Sequence, residues 1–140
     1  MTAIQKLGWA YCVLFVSVVA IGYIPGFTDD QGLLLGGFKI DPVDDLLHLG
    51  SGIWAGYAAW KSAEASKVYF KVFGTFYTAD AFLGFFTGYG FTDFVTLNLA
   101  ANQGYAFSNI TQNFLVNLPH FILGPLAMLI GFKLSKKLMH

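Results

Sequence analysis

Apolar positions along this chain neither alternate nor form a narrow stripe. They fill four long runs, 7–24, 42–60, 68–88 and 117–132, broken by single polar residues. At about 1.5 Å per helical residue, each run reaches across most or all of a hydrocarbon core roughly 30 Å thick. A helix pairs its backbone groups within itself, as lipid requires. The pattern therefore predicts an all-α fold, a four-transmembrane-helix bundle forming a single membrane domain over residues 1–140. The outer loop, 92–116, alternates apolar and amide residues with no charge after Asp93, which suits a segment lying at the membrane interface or against a partner.

Composition agrees with that solvent. Hydrophobic residues make up 56% of the chain and charged residues 11%, and the mean hydropathy is +0.59. Net charge is zero, which as a whole argues neither for nucleic acid nor for an acidic membrane surface, and no nucleic-acid partner is expected. The first run has Lys6 as its only early charge and ends in a Pro-Gly turn instead of a small-x-small cleavage site, so a retained helix is expected and not a signal peptide. Seven of the eight Lys (Lys6, Lys61, Lys67, Lys71, Lys133, Lys136, Lys137) fall at helix ends that an even-numbered bundle places on one side. The opposite loops hold Asp29, Asp30, Asp41, Asp44, Asp45 and Asp93, with Lys39 alone among them. The positive-inside rule makes the Lys side, and with it both termini, cytoplasmic. Cys12 is the single cysteine, so it forms no intrachain disulfide, and it reads as a small core residue.

The chain also repeats itself. GYIPGFTDD (22–30) closes the first run and GYGFTDF (88–94) closes the third. The returning runs share a second frame, DLLHLGSG from Asp45 and NLPHFILG from Asn117, which sets His48 against His120 and Gly52 against Gly124. Both halves run the same way across the membrane, so the reading is two parallel helix-pair repeats.

Asp41-Pro42 followed by Asp44 and Asp45 reads as a cap, a first-position proline and first-turn acids. Asn117 with Pro119 reads as the matching start of the fourth helix. Asp41, Asp44, Asp45 and His48 share a helical face that continues as Gly52 and Gly56, a small-residue pair that admits a close neighbour. On the fourth helix Asn113, Asn117, His120 and Gly124 repeat that arrangement, with Gly124-Pro125 a site for a kink. Asp80 lies about 12 Å from the outer end of the third helix and His48 about 9 Å below the outer surface, nearly level with it. A carboxylate at that depth needs a partner, and His48 and Tyr77 are the partners expected. Two inward histidines, His48 and His120, also permit tetrapyrrole ligation, and Asp44, Asp45, His48 and Asp80 are the residues available to an ion.

The exit motif GYIPGF, the HLGSG and PHFILG frames, four apolar runs and a length of 140 residues resemble a family of bacterial four-helix membrane proteins known as domain of unknown function 4383. The resemblance extends over nearly the whole chain. It implies the four-helix fold in a bacterial-type inner or photosynthetic membrane, and no particular activity. The family's first frame usually reads His-Asn-x-x-x-His. Here Asp44 and Asp45 precede Leu46-Leu47-His48, so a two-histidine site on the second helix does not carry over. The second frame is similar to Asn117-Leu118-Pro119-His120, after a longer outer loop.

No glycine-rich phosphate cradle, Ser-His-Asp set or zinc frame is present, so no enzyme is expected. Asn109-Ile110-Thr111 matches a glycosylation sequon by chance in a bacterial-type protein. The expectation is a non-catalytic accessory or scaffold subunit whose aromatic surface packs against lipid, pigment, other subunits of a larger membrane complex, or its own copies. Two alternatives stay open. One is a haem-, chlorophyll- or ion-binding protein using His48, Asp80 and His120; the other is a small proton-coupled transporter or channel.

Overall fold

The computed structural model describes residues 1–30, 33–34, 38–39, 42–96 and 109–140. The fold is all-α apart from a two-residue antiparallel ladder in the first loop, β1 (Leu33–Leu34) with β2 (Phe38–Lys39). Three long helices, α1 (Ala3–Gly22), α2 (Pro42–Lys61) and α3 (Ala63–Thr87), are followed by a single turn-and-a-half, α4 (Phe91–Thr96). A fourth long rod is α5 (Ile110–Met128), continued by a π-helical segment (Leu129–Leu134) and α6 (Ser135–Leu138).

Local chemistry moves several boundaries away from the apolar runs. α1 starts at Ala3 because Gln5 Oε1 accepts from both the backbone N–H (2.9 Å) and the hydroxyl (3.0 Å) of Thr2, fastening the first turn. α3 starts at Ala63, well before position 68, because Ser62 Oγ accepts the Ala65 N–H at 3.0 Å. Its charged first turns, with Glu64 and Lys67 paired at 3.2 Å, hid the start from hydropathy. Gly88, in the left-handed conformation at φ 76°, ends α3 where the Gly-Tyr exit begins. Pro42 opens α2 with Asp44 and Asp45 in the first turn, as expected; the proposed cap, Asp41, lies outside the described residues.

The start of the fourth helix needs correction. α5 begins at Ile110, so Asn117 is no cap and Pro119 lies well inside the helix, as does Pro125. Asn117 Nδ2 donates to Asn113 O (2.9 Å) and Asn113 Nδ2 to Phe85 O (3.3 Å), so these amides bind the helix's own turn and α3, and the helix extends upstream of them. Packing against α3 carries the backbone through both prolines. The outer loop is shortened to match: its ends lie in α4 and α5, and 97–108 lies outside the described residues.

Glycines set the two closest helix contacts. In the antiparallel pair α1–α2, a Cβ placed on Gly52 would lie 3.0 Å from Phe15 Cβ, one on Gly56 2.8 Å from Cys12 Sγ, and one on Gly8 3.0 Å from Ala59 Cβ. The Gly52–Gly56 face thus meets α1. The α3–α5 pair is tighter, backbone on backbone: a Cβ on Gly124 would lie 2.7 Å from Thr78 N, and one on Gly131 2.7 Å from Lys71 N. Gly52 and Gly124, matched by the sequence frame, each lie at a close helix contact, with α1 and with α3 respectively. Between the pairs, α1 and α3 run parallel and share an aromatic core of Tyr11, Phe15, Tyr69, Phe70, Phe73 and Tyr77. Tyr11 meets Phe70 edge-on at 5.1 Å and Phe73 stacks on Tyr77 at 4.6 Å, arrangements that suit the ring quadrupoles.

Candidate functional site

Asp80, in the second half of α3, is satisfied on both oxygens. Its Oδ2 lies 2.8 Å from His120 Nδ1, and its Oδ1 accepts the backbone N–H of Phe91 at 2.6 Å. The partner is thus His120, not His48. Antiparallel packing of α3 on α5 brings positions 80 and 120 level, a pairing that depth along each helix could not choose. With Asp80 ionised the carboxylate can only accept, and His120 Nδ1 is then the donor of this bond. The bond from Phe91 was not foreseen either. It arises because α4 turns back over the end of α3 and points its first N–H groups downward; Asp93 accepts the neighbouring Gly90 N–H at 2.8 Å. Two carboxylates thereby sit at the positive end of this short helix.

His48 forms a second polar knot beside the first. Its Nε2 shares a hydrogen bond with Tyr77 Oη at 3.0 Å, its Nδ1 lies 3.5 Å from Asp44 Oδ2, and Phe15 stacks on the ring at 5.7 Å. Tyr77 joins the two knots, with its ring 4.1 Å from that of His120. The His48 and His120 ring centroids are 6.0 Å apart at an interplanar angle of 70°. The frame-matched histidines therefore do meet inside the bundle.

The four residues proposed for an ion do not converge. Asp44 stays with His48, Asp80 with His120, and Asp45 accepts from Tyr23 Oη at 2.8 Å, because helical spacing splays successive acids to different neighbours. Among the described residues no group of three or more His, Cys, Asp or Glu is placed to hold a metal ion. For the tetrapyrrole expectation, ring nitrogens of both histidines are engaged by side chains of the bundle itself, and ring faces of both are covered by Phe15 and Tyr77.

Both knots line one cavity of about 400 Å³. Apolar residues of α1 (Leu14, Val18, Ile21) form one wall, and Asn113, Asn117 and His120 of α5 form another. Tyr11 Oη, donating to Leu123 O at 3.0 Å, ties α1 to α5 below it. Gly84 adds a feature that pattern reading passed over: any side chain there would strike the Asn117 amide. Its place one turn beyond Asp80 on the same face was the available signal.

A family model described as domain of unknown function DUF4383 matches residues 5–103. The chain belongs to the DUF4383 family. The DUF4383 match takes in α1 to α4, with His48 and Asp80, and stops short of α5, so the frame at Asn117–His120 lies beyond it. No curated protein and no solved structure matches the chain. Two helical stretches of this DUF4383 protein, Ala3–Gly22 and Asn113–Leu138, are long and apolar enough to cross a membrane.

Proposed function

We propose that this DUF4383 protein is a non-catalytic integral membrane protein of four spans, built from two parallel helix pairs, with both termini cytoplasmic. The observation that carries the reading is the inside-out distribution of side chains. Ile53, Tyr57 and Trp60 on α2 and Val68, Phe76, Phe82 and Phe86 on α3 are exposed, while Asp80, His48 and His120 are turned inward. Only 22% of each of the two most apolar helical windows is buried, which suits lipid-facing helices better than the core of a water-soluble domain. α2 and α3 carry more charge, yet at 20 and 25 residues they are long enough to span, and their exposed faces are apolar. The small bundle with its aromatic surface then serves as an accessory subunit, packing against lipid and a larger membrane assembly.

Cysteine-accessibility labelling tests the topology in a Cys12→Ser background. Impermeant reagent outside intact cells should modify Asp30→Cys and spare Ala65→Cys; labelling at position 65 overturns it. Purification in mild detergent with mass and absorbance readouts should show co-purifying chains or self-association, and a monodisperse monomer with no partner refutes the accessory role.

The cavity favours a second reading, a membrane protein that holds a small ligand between its two helix pairs. Its walls combine an apolar face from α1 with the polar groups of the two knots, the make-up of a ligand pocket.

A further inference from the structure

A second cavity, of about 620 Å³, lies on the far side of Tyr77 and Asp80, in a groove between α2 and α3. Val43, Leu46, Leu47, Gly50 and Trp54 recur at helical spacing and form one wall, and Val72 and Phe76 of α3 form the other. The lining is apolar almost throughout, so it offers a polar or charged ligand little to bind.

Both ends of the groove are closed. At the outer end stand Phe91, Thr92 and Val95 of α4, fastened by the Phe91 N–H on Asp80 Oδ1. At the inner end the Trp54 ring meets the Tyr69 ring edge-on at 5.1 Å and bridges α2 to α3. From Val43 to Trp54 is 54 − 43 = 11 residues, about 16 Å of helix, or roughly half of a 30 Å hydrocarbon core. The groove is therefore open sideways and one leaflet deep.

Gly50 marks the same place. Gly52 and Gly56 are accounted for by α1, but a Cβ on Gly50 would meet nothing within 4 Å among the described residues. Glycine weakens a helix, and no described contact of this chain requires one there. It leaves a notch, with Leu46 and Trp54 standing one turn to either side and Leu46 69% exposed. Groups that line such a void lose dispersion contacts until something fills it.

The shape of the groove selects its occupant. A transmembrane helix, from a partner or a second copy, is about 10 Å wide and crosses both leaflets, so α4 and the Trp54–Tyr69 contact stand in its way. Close helix approach also needs small residues every four positions, and here Gly50 is flanked at that spacing by Leu46 and Trp54. A single hydrocarbon chain is narrow and flexible enough to enter from the side, and a bilayer supplies it.

We propose that the α2–α3 groove holds one acyl chain of an outer-leaflet phospholipid, seated in the notch at Gly50 between α4 and Trp54. This rests on the membrane reading above.

The test is photolysis of the full chain, one copy per nanodisc, in phosphatidylcholine that carries a diazirine at mid-chain, with the adducts mapped by peptide mass. Native mass spectrometry of the detergent-purified protein runs alongside. Adducts should concentrate on Leu46, Leu47 and Phe76 over Ile53, Phe82 and Phe86, which are exposed but line no part of the groove. One phospholipid per chain should survive detergent exchange. Gly50→Leu should fold, because its side chain enters open space, and should lose both signals by filling the notch. Val72→Trp should do the same from the opposite wall, and Phe82→Leu should keep both. Adducts spread evenly over the exposed residues, or a groove preference that survives Gly50→Leu and Val72→Trp, overturns the proposal. A dimer or a co-purifying chain that Gly50→Leu releases puts a helix in the groove and overturns it as well. Each of these results, obtained with protein that resists alkaline carbonate extraction, leaves the membrane reading standing; protein that carbonate strips from membranes overturns both.

Discussion

Replacing Gly124 by Ala should loosen the protein more than its size suggests. A Cβ there would lie 2.7 Å from Thr78 N and 3.0 Å from Thr78 Cα, whereas ordinary contact begins at 3.4 Å. At that point α5 must retreat from α3 by about 3.4 − 2.7 = 0.7 Å. Thr78 Oγ1, at 2.6 Å, can rotate away, but the other two obstructing atoms are backbone and no rotamer change relieves them. Retreat also opens the neighbouring contacts of Gly74 on Ala127 and Gly131 on Lys71, which share the seam. Overpacking of this kind costs about 1–3 kcal/mol, offset by about 0.5–1 kcal/mol from the better helix propensity of Ala. The net expectation is a loss of up to about 2.5 kcal/mol. Gly50 is the internal control, because a Cβ there meets nothing within 4 Å and Gly50→Ala should gain about 0.5–1 kcal/mol. The two variants should then differ by several degrees in melting temperature, measured by heating in detergent and following the folded peak on a sizing column. If Gly124→Ala melts at or above Gly50→Ala, the close α3–α5 seam is not present in the protein.

Asp80→Asn keeps an oxygen for the Phe91 N–H, offers its NH2 to His120 Nδ1 once that ring takes the Nε2–H tautomer, removes a buried carboxyl and should change stability by less than about 1 kcal/mol, whereas Asp80→Ala removes both partners and should cost about 2–4 kcal/mol. Equal losses in a detergent melt would mean that the charge, and not the two hydrogen bonds, is what the site needs. Tyr77→Phe deletes the hydroxyl bonded to His48 Nε2 and should cost about 1 kcal/mol by the same assay, with no loss at all showing that the two are not paired. Tyr11→Phe should cost a similar ~1 kcal/mol by freeing Leu123 O where α1 meets α5, and it should also speed proteolysis of folded protein near the α1–α5 contact.

Hydropathy alone was enough to locate the long helices, because an apolar run of some twenty residues satisfies its backbone polar groups within itself only as a helix. It misplaced the starts of α3 and α5, where the first turns carry Glu64 and Lys67, or Thr111, Gln112 and Asn113, and where stability comes from a Ser62 cap or from packing on α3. The second-helix glycines were legible as a contact face since small residues recurring every four positions let a neighbouring helix approach closely. That α1 is the helix they meet was not legible, because spacing on one helix says nothing about its neighbour. The same limit governs the site. Sequence marked Asp80, His48, Tyr77 and His120 as inward polar residues, because an ionisable side chain in an apolar run has to be paired. Which of them pair was decided by the antiparallel register of α3 on α5, fixed by Gly74, Gly124 and Gly131, which sets His120 and not His48 beside Asp80. The return of α4 over α3, which supplies the Phe91 N–H, and the cavity that both polar knots line are likewise products of helix placement, a property of the packed chain that no local pattern encodes.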